Sequence, residues 1–310
     1  MGIATREKVN WKRIKSSLKR GKYIYIMALP VVLYYVIFSY LPMYGVVIAF
    51  QQYNPGKGIF GSPFIGLKNF QDFFGSFYFV RLLTNTLMIS FYDLLFSFPA
   101  PIILALLLNE VRQIKFKRVV QTITYMPYFI SLVVVAGILR DFSLPTGGLS
   151  NLVAVFTGEH VNLLGKPDYF RSLFVGSGIW QSVGFGSIIF LAAISGIDQE
   201  MYEAAIIDGA GRLRQAWYIT LPSISSTILV LLILRIGNLL NVGYEKIILL
   251  YNSVTYETAD VISSFVYRKG LLESVYGYST AVGLFNSLAN FILLVTANKL
   301  SQIFAKSSLW

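Results

Sequence analysis

The chain has 310 residues, of which 55% are hydrophobic and only 13% are Asp, Glu, Lys or Arg. Soluble domains carry about 25% charged residues, so this composition argues against a water-soluble protein and predicts a membrane protein. The formal net charge of +11 is better explained by basic loops beside an anionic inner leaflet than by nucleic-acid binding. With no Cys in the chain, disulfide bonds and thiol chemistry are excluded.

Six apolar stretches are each long enough to cross a bilayer, which requires about 20 mostly apolar residues. In chain order they cover residues 23–50, 82–109, 119–139, 172–197, 215–243 and 274–298. Asp93 interrupts the second stretch and Arg235 interrupts the fifth. The first stretch is too long for a signal-peptide core, so we expect it to remain in the mature protein. The predicted fold class is an all-α integral membrane protein with six transmembrane helices.

The Lys and Arg residues predict the orientation of these helices. Sixteen of the 26 lie before residue 23, within 110–118, within 198–222 or after residue 298, and eight lie in the opposite set of connections. The excess predicts that both termini and the loop between helices four and five are cytoplasmic. We therefore divide the chain into a basic cytoplasmic N-terminus (1–22), a six-helix transmembrane domain (23–304, with the loop at 198–222) and a cytoplasmic tail (305–310).

The cytoplasmic loop 198–222 carries its own folding signals. Asp198 is a candidate N-cap for a short helix over 201–207, and the glycines of 208–211 predict a break. A second short helix is predicted over 212–220, ending before the Leu-Pro pair because proline disfavours helix in the residue preceding it. From the residues alone, this hairpin either lies in the membrane interface without a partner or docks onto another protein.

One motif in this loop identifies a family. Glu203-Ala204-Ala205 is followed after three residues by Gly209, and after nine more by Ile219, one residue and Leu221-Pro222. This pattern resembles the signature of permease subunits of binding-protein-dependent bacterial ABC importers. Further segments resemble the LplB-type branch of carbohydrate permeases, which is similar to the maltose type; they are 53–55, 66–70, 126–131, 249–252, 259–262 and 280–285.

The resemblance implies that the loop is a coupling helix that docks into a groove on a cytoplasmic ATPase. The implied ATPase-coupling residues are Glu203, Ala204, Ala205, Asp208, Gly209 and Arg212. It further implies a second related permease in a heterodimer, two ATPase subunits that bind ATP and Mg²⁺, an extracytoplasmic solute-binding protein and an oligosaccharide substrate. The expected location is the bacterial cytoplasmic membrane, as a multi-pass protein in contact with lipid and not with nucleic acid.

The chain itself is not expected to be an enzyme. A phosphate-binding loop needs a glycine-rich turn ending in Gly-Lys-Ser or Gly-Lys-Thr, and none of the Gly-Lys pairs, at 21–22, 56–57 and 165–166, fits that pattern. The single histidine, His160, is interpreted as a solvated loop residue. We therefore predict no catalytic residue, no metal site and no cofactor on this chain.

Candidate substrate-pathway residues lie on the fifth and fourth stretches. A charge within a span is a functional hypothesis by default, so Arg235, with Asn238 and Asn241 at successive steps of three and then Tyr244, predicts a polar helix face. On the fourth stretch Trp180 and Phe185 could pack on sugar rings, beside Ser182. The alternative for each is packing within the bundle. If Arg235 faces the pathway, an acidic sugar is favoured, because guanidinium binds carboxylate well.

Three other polar residues within the spans are interpreted as structural. We expect Asp93 to pair with a neighbouring polar group, and Asn286 and Asn290, one helical turn apart, are interpreted as holding helices together. An ion-gradient-driven sugar carrier is an alternative function, but such carriers use coupling carboxylates and Asp93 is the only acid inside a predicted span. A non-transporting scaffold leaves the signature of the cytoplasmic loop unexplained.

Overall fold

The computed structural model describes residues 21–305. Within this range the chain is helical, without β-strands, and one isolated antiparallel bridge joins Gln51 and Phe64. The predicted basic segment 1–22 therefore lies largely outside the described residues, and so does nearly all of the predicted tail 305–310.

The helices in chain order are α1 Lys22–Phe50, α2 Gly58–Gly61, α3 Lys68–Phe74, α4 Phe77–Glu110, α5 Ile114–Phe129, α6 Leu132–Ser143, α7 Gly148–Thr157, α8 Pro167–Ser195, α9 Gln199–Ile207, α10 Arg212–Ser223, α11 Ser225–Gly237, α12 Tyr244–Leu250, α13 Tyr256–Ala259, α14 Ile262–Tyr267 and α15 Tyr276–Ala305. Several of them contain π-helical turns, at Val36–Tyr40 in α1, Asp93–Ser97 in α4 and Ala216–Thr220 in α10, and another, Arg268–Leu272, follows α14.

Four of these helices, α1, α4, α8 and α15, are long and apolar enough to cross a membrane. Two bent pairs bring the number to six if each pair forms one span: α5 with α6, bent by 100°, and α10 with α11, bent by 63°. These segments overlap the six predicted stretches in the predicted order. The sidedness of the termini and of the loop remains a prediction.

The third span differs from the uninterrupted stretch 119–139 read from hydropathy. The helix already begins at Ile114, includes the basic residues of 115–118, and breaks at Ile130. Pro127 lies in the 3₁₀ turn Met126–Phe129 before the break, and the Ser131 hydroxyl accepts a hydrogen bond from the Val134 amide at 3.4 Å to start α6. A proline turn followed by a new N-cap explains the sharp bend.

The predicted end of the second loop helix before Leu221 and Pro222 is wrong, because the chain stays helical through Ser223. The π-helical turn Ala216–Thr220 comes directly before this pair, so Pro222 lies in the first turn of the segment that follows it. At that position the missing amide hydrogen costs little.

Glycine permits a close approach between α5 and α8. A Cβ atom at Gly184 of α8 would lie only 2.0 Å from the backbone oxygen of Thr124 in α5. Small residues let helix backbones approach in membrane proteins. The α5–α8 contact therefore depends on the absence of a side chain at this position.

A buried ionic network ties the segment between α12 and α15 to the rest of the bundle. The fully buried Asp260 accepts from Arg268 at 2.6 Å and lies 3.5 Å from Arg81 of α4. Asn85 of α4 donates to the Asp260 backbone oxygen at 3.0 Å and accepts from Arg171 of α8 at 2.8 Å. Two guanidinium groups thus compensate the buried carboxylate, as a charge out of water requires.

The first helix, by contrast, packs little against the chain. None of the residues from Lys22 to Met43 is buried, and Ala49 is the only buried residue of α1. Its apolar side chains are therefore free to face lipid or another subunit.

Candidate functional site

Two irregular backbone segments lie next to each other inside the bundle. One is the π-helical turn Asp93–Ser97 in α4, and the other is the non-helical segment 238–243 between α11 and α12. Irregular backbone at membrane depth is tolerated where protein covers it or where it lines a cavity, and π-helical turns are frequent at functional sites. The two segments therefore mark a candidate substrate pathway within the bundle.

The two charges that interrupt the predicted spans form an ion pair. Arg235 Nη2 of α11 donates to Asp93 Oδ2 of α4. The exposed fractions of the two side chains are 49% and 26%. A lone charge within a span is costly, so the pairing explains how the bundle accommodates both residues, and it confirms that Asp93 has a polar partner.

A cavity of about 400 Å³ lies beside this ion pair. Its polar and charged lining residues are Ser90, Asp93, Gln181, Ser182, Arg235, Asn238, Asn241 and Lys246. A second cavity of about 380 Å³ shares Ser182, Arg235 and Asn238 with the first. The two cavities therefore adjoin at Arg235, between α4, α8 and α11, and the second is lined mainly by apolar residues.

Side chains from neighbouring helices hold the non-helical segment open. Asn290 of α15 accepts a hydrogen bond from the Leu240 amide at 3.0 Å, and Asn286 donates to Asn241 at 2.9 Å. Ser90 of α4 donates to the Leu239 oxygen. The contacts of Asn290 and Ser90 satisfy backbone groups that a helix would otherwise pair internally, whereas Asn286 bonds the side chain of Asn241. Asn286 and Asn290 thus link α15 to the segment between α11 and α12, in agreement with their interpretation as structural residues.

Four of the predicted pathway residues, Ser182, Arg235, Asn238 and Asn241, line the cavity together. Their arrangement is not the helix face expected from a spacing of three. The helix α11 ends at Gly237, so Asn238 is its C-cap and Asn241 lies in the segment that follows. The structure brings these residues together through a break and not through helical periodicity.

The aromatic candidates lie elsewhere. Trp180 lines a separate, mainly apolar pocket between α6 and α8. The Phe185 ring stacks on Tyr128 at a centroid distance of 4.0 Å, and the Tyr244 ring stacks on Tyr267 at 5.8 Å. None of these three residues is among those that line the cavity at Arg235.

Sequence analysis missed Lys246 as a cavity residue, because the charge count assigned it to an external connection. The side chain is only 8% exposed, and its Nζ atom donates to the Phe174 oxygen at 2.7 Å. It is the one basic residue of α12, directly after Glu245 and directly before the apolar run 247–250. Its place at the start of that run is the signal in the sequence that could have indicated burial.

The cytoplasmic loop folds as helix, turn and helix, as predicted. Asp198 caps α9 by accepting from the Glu200 amide at 3.0 Å, which confirms the N-cap, although the helix begins at Gln199 and not at residue 201. Gly209 has a φ of +75°, a left-handed conformation that favours glycine, and it separates α9 from α10.

The predicted coupling residues lie on the surface of this hairpin. Glu203, Ala204, Asp208 and Gly209 are exposed, and Ala205 is half-buried. Large apolar side chains are exposed beside them, namely Ile207, Leu213, Trp217 and Tyr218. Arg212 is exposed as well, and it pairs with Glu110 at the end of α4 at 3.7 Å. The hairpin thus presents an apolar surface with little cover from this chain.

No group of three or more His, Asp or Glu side chains within residues 21–305 is arranged to hold a metal ion.

The profile of the family described as binding-protein-dependent transport system inner membrane component matches residues 97–302. The chain belongs to this family. It is therefore an inner-membrane component of a transport system, in agreement with the four to six candidate membrane spans and with the resemblance seen in the loop signature.

Named relatives of this permease are similar over almost its whole length. Protein LplB of Bacillus subtilis is 49% identical over 296 residues, which cover 95% of this chain and 93% of LplB. The polygalacturonan/rhamnogalacturonan transport system permease YteP of the same organism is 46% identical and covers 96% of this chain and 94% of its own. YteP is named as a transport permease, which supports the prediction that this chain is a transport subunit and not an enzyme.

A solved structure shares the fold. The crystal structure of a bacterial alginate ABC transporter, in complex with a periplasmic protein bound to an alginate pentasaccharide, contains a chain with a TM-score of 0.88 and 42% identity. The match covers 96% of this permease and 100% of that chain. The fold described above is therefore that of an ABC-transporter permease.

Proposed function

We propose that this chain is the permease subunit of an ABC importer that moves acidic oligosaccharides into the cytoplasm. The observation that carries the proposal is the polar cavity at Arg235. Of the ionisable side chains that line it, Arg235 and Lys246 are basic and Asp93 is acidic, so the cavity has an excess of positive charge. Its Ser, Asn and Gln side chains supply donors and acceptors for sugar hydroxyl groups.

The relatives support an acidic substrate. YteP is named for polygalacturonan and rhamnogalacturonan, and the solved transporters are described for alginate, one of them as an importer of this acidic polysaccharide. All of these polymers contain uronic acids. A cavity with positive charge suits the carboxylates of such chains better than it suits a neutral sugar.

Two surfaces that this chain leaves exposed support the proposed partner subunits. We infer that α1, with its unburied side chains, packs against a second related permease in a heterodimer. The exposed hairpin of α9 and α10 is the proposed docking surface for one of two cytoplasmic ATPase subunits, which bind ATP and Mg²⁺. An extracytoplasmic binding protein would deliver the oligosaccharide to the opposite side.

The test is transport by the complete complex in proteoliposomes. We expect uptake of a tetragalacturonate or an alginate tetrasaccharide that requires ATP and is inhibited by vanadate. The matched control substrate is the carboxyl-reduced tetrasaccharide, in which hydroxymethyl groups replace the carboxylates. Equal uptake of both forms would refute the acidic substrate, and uptake driven by an ion gradient without ATP would favour a secondary carrier.

A further inference from the structure

Lys246 is a buried cation at the edge of the cavity. Its Nζ atom lies 4.6 Å from the centroid of the Phe174 ring and donates to the Phe174 oxygen at 2.7 Å. An ammonium group has three donors. Among the described residues, that backbone oxygen is the one acceptor assigned to it, and no carboxylate lies within ion-pair distance of it. Such a group has donors left for a ligand.

The surroundings leave space next to this ammonium group. Gly178 of α8 lies beside it, and a Cβ atom there would be only 3.4 Å from Nζ. Gly178 and Lys246 both border the cavity of about 400 Å³ that Arg235 and Asn241 also line. A carboxylate in this cavity can therefore approach Lys246 without displacing a side chain at position 178.

The charges in the cavity single out Lys246. Asp93 pairs with Arg235, so these two charges largely compensate each other. Lys246 is the remaining ionisable group of the lining and provides its uncompensated positive charge. Burying a cation without a carboxylate partner costs free energy, and a substrate carboxylate would recover part of that cost.

We propose that Lys246 is a specificity-determining residue, whose ammonium group binds a carboxylate of the oligosaccharide as it passes through the cavity. The inference rests on the proposed import of acidic oligosaccharides and names the group that selects them. A lysine is a point charge with three rotatable donors. Its donors can therefore reorient toward successive carboxylates of a moving chain.

The role of Lys246 can also be tested without a substitution, because the charge of its side chain changes with pH. Lys246 lies outside the candidate spans, and burial lowers the pKa of its ammonium to about 8, while the charge of Asp93 opposes this shift. Arg235 is the other basic residue that lines this cavity, and uronate carboxylates stay ionised above pH 7. At pH 9 only about a tenth of Lys246 remains charged, so the preference for the acidic substrate should fall as pH rises from 7 to 9.

The experiment measures the uptake ratio of tetragalacturonate, or of the alginate tetrasaccharide if that is the form transported, to its carboxyl-reduced counterpart. The complete complex is used in proteoliposomes. In Lys246→Met and Lys246→Gln, we expect this ratio to fall by about tenfold, because a hydrogen bond to a charged group is lost. Lys246→Arg should retain the preference, and should keep it at pH 9. Lys57→Gln, which removes an exposed lysine, is the matched control and should leave the ratio unchanged.

The outcomes separate this inference from the proposed function. If the wild type shows no preference for the acid, the proposed substrate is wrong. If the wild type prefers the acid but the ratio is unchanged in Lys246→Met and in the wild type at pH 9, the acidic substrate stands and the role of Lys246 is refuted. Equal loss of both uptakes in an assembled complex would indicate packing and would also refute it. Should both neutral variants fail to assemble, the pH series and Lys246→Arg decide the question.

Discussion

The guanidinium group of Arg235 hydrogen-bonds to the carboxylate of Asp93 across 142 positions of sequence. The pair joins α11 to the π-helical turn of α4 where two cavities adjoin. Both residues are therefore constrained by each other as well as by any substrate, and substitutions at either one must be interpreted as a pair.

We expect Asp93→Asn or Arg235→Gln alone to destabilise the complex by about 1–2 kcal/mol, since each leaves an unpaired charge in a partly exposed site. The double variant should be more stable than the sum of the two single effects predicts. Thermal unfolding of the detergent-solubilised complex measures this coupling. Strictly additive effects would show that the ion pair contributes nothing to stability.

Gly184→Ala should weaken the contact between α5 and α8, because the added methyl group would overlap the backbone oxygen of Thr124. Overpacking of this kind typically costs about 1–3 kcal/mol. The matched control is Gly176→Ala in the same helix, where a Cβ atom meets nothing within 4 Å. Yield and thermal stability should fall for the first variant and not for the second; equal behaviour would contradict the close approach.

Removing the carboxylate of Asp260 should destabilise the complex more than the substitutions at Asp93, Arg235 or Gly184. Asp260→Ala leaves Arg81 and Arg268 without their buried partner, at a cost of about 3–5 kcal/mol. Glu159→Ala breaks the exposed pair with Lys166 and should change stability by less than about 1 kcal/mol. Comparable melting temperatures for the two variants would show that the network around Asp260 is not a major source of stability.

The cytoplasmic hairpin is tested by its ability to retain an ATPase. In a pull-down from mild detergent, the wild type should bring down an ATPase and a second permease. Glu203→Ala combined with Gly209→Asp should lose the ATPase alone. The control is Glu159→Ala with Gly158→Asp, which alters an exposed glutamate beside a glycine with the same φ of +75° in another loop. Recovery of no ATPase with the wild type would count against the importer.

The sequence predicted what depends on local composition. The apolar stretches located the spans, and Asp198 and Gly209 located the N-cap and the turn of the loop, because these signals act within a few residues. The break after Gly237 was not predicted, because one of its stabilising contacts is made by a residue distant in sequence. Asn290, which accepts a hydrogen bond from the Leu240 amide in the broken segment, lies 50 residues further along the chain.

Some residues of the candidate cavity could be predicted from local sequence signals, and others could not. Arg235 stood out because a charge is rare in an apolar span. Lys246 did not, since a lysine in a connection is ordinary until the fold buries it under Phe174 and Gly178. The aromatic candidates Trp180 and Phe185 lie on the same helix as Ser182 but face other neighbours, which spacing along one helix cannot distinguish without its packing partners.

The ion pair between Arg235 and Asp93 also bears on the electrical side of transport. Moving one elementary charge across the whole membrane changes the free energy by about 2.3 kcal/mol for every 100 mV of membrane potential. A guanidinium that travels with its carboxylate carries no net charge, so the potential does almost no work on the pair. As long as the pair stays intact, α4 and α11 can move together through the transport cycle at nearly the same energy in an energised and in a depolarised membrane.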